Sequence, residues 1–386
     1  MYRHHRIRRT GFVLAASLIS LALLITPALA GAAISEAKAA SCSSWTTGSP
    51  PSPGTFDNQL RGVTALSACN VWAVGDYSNN GIGQRLTLAE HWNGTAWKVV
   101  HTPSPGNINQ LRAVSAFSPS NVWAVGHADG STLILHWNGS KWARVPSPSP
   151  GTQSDLSGVV AVSATSAWAV GESSPPGSSA KTLVLRWNGR KWTRVTSPAP
   201  GTDSRLGAVT ATSSRSAWAV GGYFSGTSGK TLILHWNGAK WARATSPNPP
   251  GPVNEMILDG VSASSAGNAW AVGLYNTGTI QKTITLHWNG RVWKLTANPS
   301  PGQEPFLFGV SVISASDAWA VGSYLALSTT KTLIMHWDGR GWNQIVSPSP
   351  GSTSGLTSVA ATSASNVWAV GTYNTGPPQV LAIHCC

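Results

Sequence analysis

One tetrapeptide constrains this chain more than anything else in it. Trp-Ala-Val-Gly begins at Trp72, Trp123, Trp168, Trp218, Trp270, Trp319 and Trp368, at spacings of 51, 45, 50, 52, 49 and 49 residues. A repeat of that length means stacked copies of one supersecondary unit, none of which can bury its apolar face alone. Each copy carries two more landmarks. His-Trp-Asn-Gly or a variant follows 14 to 20 residues later, with its tryptophan at Trp92, Trp137, Trp187, Trp236, Trp288 and Trp337. Five residues on stands a further tryptophan, at Trp97, Trp142, Trp192, Trp241, Trp293 and Trp342, and a Pro-rich tail ending in Pro-Gly completes the unit. Of the 20 tryptophans, Trp45 alone falls outside this frame.

Every unit reads as four short strands. The first is Leu-x-small-Val, as at Leu60, Gly62 and Val63. Asn, Ser or Asp two residues before the tryptophan (Asn70, Ser216, Asp317) marks a turn into the second strand, because such side chains cap their own backbone. Period-two alternation in Thr-Leu-x-Leu-His-Trp gives the third strand, and Asn-Gly turns it into the fourth. Four antiparallel strands in about 45–50 residues is a propeller blade. The predicted fold is all-β: a seven-bladed β-propeller. Composition agrees, since only 10% of residues are charged and Gly numbers 40, whereas helices favour Ala, Leu, Glu and Lys.

Counting pieces predicts how the ring closes. First and second strands occur seven times, but the seventh third strand, Leu381–His384, stops at Cys385-Cys386. The missing fourth strand stands at the other end of the chain, as Trp45 followed by Ser49-Pro50-Pro51-Ser52-Pro53-Gly54. The N-terminal strand is therefore expected to complete the last blade, which removes unpaired edges. Cys42 and the pair Cys385 and Cys386 would meet at that hairpin. A disulfide from Cys42 to Cys386 or Cys385 would replace the missing covalent turn, which an oxidising compartment permits. Cys69 has no evident partner.

Residues 1–40 read as a signal peptide: Arg3, Arg6, Arg8 and Arg9, an apolar run from Phe12 to Ile25, then Ala28-Leu29-Ala30 and Ala37-Lys38-Ala39 as cleavage sites. The apolar run is short for a membrane span. The expected domains are thus a leader at 1–40 and a propeller at 41–386, secreted, monomeric, with no membrane span after cleavage. Residues 41–386 hold 21 Lys/Arg against 12 Asp/Glu. In an exported protein that excess favours an extracellular polymer, anionic polymers included, or a protein as partner rather than nucleic acid.

The repeat resembles the kelch/galactose-oxidase-type propellers over residues 41–386. The resemblance is carried by an apolar second strand ending in Gly-Gly and a later Trp, closest in Trp218-Ala219-Val220-Gly221-Gly222-Tyr223 with Trp241. The double glycine occurs in that copy alone. The Tyr, His and Cys ligands of a radical-copper oxidase have no counterparts here, so the resemblance implies architecture rather than chemistry.

Functional candidates come from positions that break the repeat. Six histidines share one framework position and read as structural. No H-E-x-x-H, C-x-x-C or Gly-rich phosphate motif occurs, and no cofactor, metal or catalytic residue is indicated. The position after the first-strand Leu varies instead: Arg61, Arg112, Ser157, Gly207, Asp259, Phe308 and Thr357. These should line a channel mouth, with Arg61 and Arg112 able to clamp a carboxylate or phosphate. Asp76, His127, Asp129 and Glu172 offer an acid–base or cation site nearby. Tyr77, Tyr223, Tyr275, Tyr324 and Tyr373 form a ring that either stacks on sugars or packs between blades. Three readings stay open: a binding module for glycan, cell-wall polymer or protein, a hydrolase or lyase with its site at the mouth, and a purely structural repeat.

Overall fold

The computed structural model describes residues 44–81, 83–251 and 253–385. The leader at 1–40, Cys42 and Cys386 lie outside the described residues. Within them are 28 strands and no helix. The first complete repeat shows the plan: Asp57–Ser67, Asn70–Ser78, Leu86–Trp92 and Trp97–Val99 form a four-stranded antiparallel sheet in sequence order. Four further sheets repeat it. The remaining eight strands join through one parallel pair, Thr330 with Thr353. To one side of that pair lie the four strands from Gln303–Ser314 to Trp342–Ile345. To the other lie Thr353–Ser363, Asn366–Asn374, Pro378–Cys385 and Thr46–Thr47.

The N-terminal strand completes a sheet, as the count of pieces anticipates. Thr46 pairs with His384 and Thr47 with Ile383, and Gly48 N donates to Ala382 O at 2.8 Å. First strands of successive sheets pack on one another in cyclic order, the last on the first. The tryptophans lock the seams. Each Trp-Ala-Val-Gly indole meets the fourth-strand tryptophan of the next sheet edge to face: Trp72 on Trp142 at 5.3 Å and 90°, Trp123 on Trp192 at 5.1 Å and 90°. Trp319 meets Trp45 at 5.6 Å, and Trp368 meets Trp97 at 5.3 Å, so the two termini join the same series. Edge-on contact is the arrangement that ring quadrupoles favour.

The framework histidines are structural. His91 stacks on Trp72 at 4.4 Å while its Nε2 lies 2.9 Å from Asn70 Oδ1 in the turn. His136, His287 and His384 repeat this against Asn121, Asn268 and Asn366. Burial pushes all four imidazoles below the usual histidine range. Arg186, which replaces the histidine in the third repeat, lays its guanidinium 5.2 Å from the Trp168 ring centre. The Pro-rich tails are tied back by third-strand threonines. Thr132 Oγ1, for example, bonds the hydroxyl of Ser147 at 2.8 Å and donates to Pro148 O.

Candidate functional site: the channel mouth

The strands converge on one opening because every first strand carries a bulge at the same place. Pairing skips one residue between Leu60 and Gly62, and again at the six equivalent positions. The skipped residues are Arg61, Arg112, Ser157, Gly207, Asp259, Phe308 and Thr357. A bulged residue leaves the ladder and is re-aimed, here into the channel, and all seven line one cavity. This also accounts for the last residue of Trp-Ala-Val-Gly. A Cβ on Gly75 would sit 1.9 Å from Gln59 O, beside the bulge, and on Gly126 1.9 Å from Gln110 O. The wider mouth above has a cavity volume of about 480 Å³. A second cavity of about 430 Å³ adjoins it across a wall formed by Asp155 and Glu172.

The bulges place Arg61 and Arg112 at the mouth, but neither is a free anion clamp. Arg61 Nε bonds Asp76 Oδ1 at 2.7 Å. Arg85 bridges the same carboxylate and Asp57, the latter at 2.6 Å. Gln59 donates to Asp57, which closes the network. Arg112 Nη2 lies 2.7 Å from Asp155 Oδ2. Each guanidinium already has a carboxylate, so the pairs offer an incoming anion no net positive charge.

The expected acid–base group divides. Asp76 is sealed beneath its two arginines and fully buried. Asp129 sits at a turn with φ +46° and accepts from the backbone N–H of Asn107 and Ile108. Those two bonds hold its carboxyl below the usual range and commit it to fixing the link between sheets. His127 and Glu172 do come together, around Asp155. His127 Nδ1 is 3.3 Å from Asp155 Oδ1, and Glu172 is the cross-strand neighbour of Asp155. Arg205 Nε lies 2.9 Å from Glu172 Oε2. Burial raises the Glu172 carboxyl, with Arg205 opposing and Asp155 adding to the rise.

The tyrosine ring serves packing. Tyr223 is buried, and Tyr77, Tyr275, Tyr324 and Tyr373 pack against the apolar clusters between sheets. The four keep part of their surface exposed, while Tyr223 is closed over by the guanidinium of Arg243, 4.9 Å from its ring centre.

Asp259 is the exception among the charged mouth residues. It has no ion pair or hydrogen bond among the described residues, and loss of water pushes its carboxyl up to about 7, with Glu255 adding to the rise. Around it the mouth changes character. Ile257 lies two residues before it, and in the next sheet Phe306 and Phe308 stack at 5.4 Å and 5°. Sequence reading missed Gln59, Asp155, Arg205, Ile257 and Phe306. The signal was present, because all precede the bulge by two residues, where the seven copies read Gln59, Gln110, Asp155, Arg205, Ile257, Phe306 and Gly355 and only the first two agree. Among the described residues, no group of three or more His, Cys, Asp or Glu side chains could hold a metal ion.

Known structures share this architecture. YCF48 from Cyanidioschyzon merolae superposes with a TM-score of 0.56 at 14% identity, over 89% of this chain and 98% of that one. The GH74 xyloglucanase from Xanthomonas campestris gives 0.54 at 13% identity over 87% of this chain. This chain spans 55% of that enzyme's length. The fold is a β-propeller. At such identities the likeness reaches the fold alone. No protein-family model matches the sequence, and no curated protein does.

Proposed function

We propose that this chain is a secreted, monomeric, seven-bladed propeller that binds an extracellular polymer or protein through its channel mouth. One observation carries the reading. Seven bulges, built on an almost invariant frame, present six different residue types to one cavity. A frame kept for stability alone has no use for that variety at the one point where the copies converge. The cyclic packing of first strands supports the count of seven, and the kelch-type kinship rests on Gly221-Gly222 and Trp241. The xyloglucanase neighbour makes a polysaccharide the first partner to try. A hydrolase reading is favoured by one fact: Glu172 and Asp259, both with raised pKa, line the same mouth. Asp259→Asn would then abolish breakdown of a bound polysaccharide, whereas a binding module releases no product.

The test is an array of glycans, cell-wall polymers and basic and acidic peptides, probed with the wild-type protein and Ser157→Trp. Ser157 is half-buried at the mouth and its hydroxyl makes no hydrogen bond among the described residues, so a larger side chain there obstructs the cavity. The expected result is at least a tenfold loss of binding at an unchanged melting temperature. Full binding by Ser157→Trp would exclude the mouth.

A second reading rests on charge. In repeats two to four, Lys141, Lys191 and Lys240 occupy one hairpin position and Arg144, Arg194 and Arg243 one fourth-strand position. All six are exposed and form no ion pair among the described residues. No acidic residue lies on those strands or hairpins, which are at the end of the sheets away from the mouth. A linear anionic polymer fits this flank. Its binding should survive Ser157→Trp, weaken on changing the three lysines to Gln, and fall steeply with salt.

The disulfide belongs to the same proposal. Cys385 is fully buried and is not a free thiol, whereas Cys69 is free and exposed. A bridge to Cys42 would tie the closing strand and contribute up to about 5 kcal/mol by chain entropy. Intact-mass analysis under denaturing alkylation should find two reactive thiols without reductant and four with it. Three or four without reductant would exclude the bridge.

A further inference from the structure

Matching charges at the mouth leaves one remainder. Arg61 and Arg85 share Asp76 and Asp57, Arg112 has Asp155, and Arg205 has Glu172. Asp259 has none among the described residues. It projects from the bulge of the fifth repeat into the cavity, next to the bulge of the sixth, which presents Phe308 with Phe306 stacked on it. Ile257, two residues earlier on the same strand, lines the same cavity. Below the mouth the channel narrows to a cavity of about 150 Å³, walled largely by glycine, alanine and valine.

We propose that the mouth takes a cation on a slender carbon stem, the lysine side chain of a peptide, with its ammonium at Asp259 and its methylenes along Phe308 and Ile257. The inference rests on the mouth being the binding site and names what that site selects. A carboxylate beside an aromatic face is attractive to an ammonium twice over, through charge and through the ring quadrupole. The apolar wall suits the four-carbon stem, which a lysine buries while keeping its charge paired. An anion has no such place here, since every arginine of the mouth is matched. The narrow channel favours an unbranched side chain over the ring of an amino sugar, the other common source of an organic ammonium.

The experiment titrates the full mature protein with the peptide acetyl-Gly-Lys-Gly-amide, its Nε-acetylated form and a glucosamine trimer, by calorimetry. The lysine peptide is expected to bind at least tenfold more tightly than the acetylated one. Asp259→Asn should remove that preference, and Phe308→Leu should weaken binding several-fold. Asp259 makes no bond within the described fold and burial disfavours its charge, so Asp259→Asn is expected to melt no lower than the wild type. Phe308→Leu provides a second variant that leaves the charge in place. If Ser157→Trp blocks the peptide and Asp259→Asn does not weaken it, the mouth reading stands and the cation is excluded. Equal binding of the acetylated peptide, tighter binding of the glucosamine trimer, or no binding of the lysine peptide would each overturn the proposal. If peptide binding is unaffected by Ser157→Trp, the mouth reading falls with it.

Discussion

Replacing Glu90 by Gln should flatten the pH dependence of stability, and replacing it by Leu should make the protein markedly more stable at pH 8. Glu90 is fully buried, and neither carboxyl oxygen has a hydrogen-bond partner among the described residues. It stands in the third strand of the first repeat, where the other six have Leu135, Leu185, Leu234, Leu286, Met335 and Ile383. On the same face of that strand, Leu88 packs with Trp368 and Val370 in the seam between the first and last repeats. Burial alone pushes the carboxyl up to about 8. Proton counts give the direction. Between the unfolded pKa near 4.3 and the folded value near 8, the unfolded chain has lost a proton that the folded chain keeps, so stability falls as pH rises. The stabilisation present below the unfolded pKa is lost by pH 8, to the extent of about 4–5 kcal/mol. Denaturant midpoints of wild type and Glu90→Gln at pH 5, 7 and 9 isolate this group from all others that titrate. Parallel curves would show that the carboxyl finds a partner or water. Glu90→Leu gives the size of the apolar alternative, roughly 3 kcal/mol at pH 8 if the pocket accepts leucine as its six counterparts do.

Glu90 also shows how far the sequence could be read. The frame was legible because six of the seven seams are built from the same three tryptophans, and the seventh from two of them with Cys385 in place of the third, so one alignment of the chain on itself exposes strands, turns and the displaced fourth strand. Departures from that frame were equally visible, and the bulge position was found by them. Their partners were not. Arg61 is matched by Asp76 from the neighbouring strand, and Arg112 by Asp155 from the next sheet. Spacing along the chain says nothing about such pairs when strands from different repeats supply them. The tyrosines stood between sugar stacking and packing for the opposite reason. They recur, and a recurring residue belongs to the seam that recurs with it. Glu90 breaks the repeat as plainly as Asp259 does, yet it lies on the buried face of a strand. Only the packing separates a departure that meets a ligand from one that strains a seam.

The closing strand should be the other point at which one substitution has a large effect. Trp45→Ala is expected to destabilise the protein by about 3–5 kcal/mol, as for a buried Trp elsewhere. Trp142→Ala, which removes the corresponding contact with Trp72, should cost a similar amount. The two variants should differ in their effect on the strand itself. Trp142 lies in a sheet whose four strands are continuous in the chain, so the strand stays in place. Trp45 anchors a strand of two residues, Thr46–Thr47, held otherwise by its pairing with His384 and Ile383, by Thr46 Oγ1 donating to His384 O, by Gly48 N donating to Ala382 O and by Val380 N donating to Ser52 Oγ. Without the indole on Trp319 that strand is expected to detach and leave Pro378–Cys385 as an open edge, which invites pairing with a second copy. Light scattering on Trp45→Ala should therefore show association that Trp142→Ala does not. Reductant should increase it, because the proposed Cys42 bridge would hold the strand nearby after its anchor is gone. A monodisperse Trp45→Ala protein within about 1 kcal/mol of wild type, with and without reductant, would mean that the seam between the last two repeats closes without the N-terminal strand.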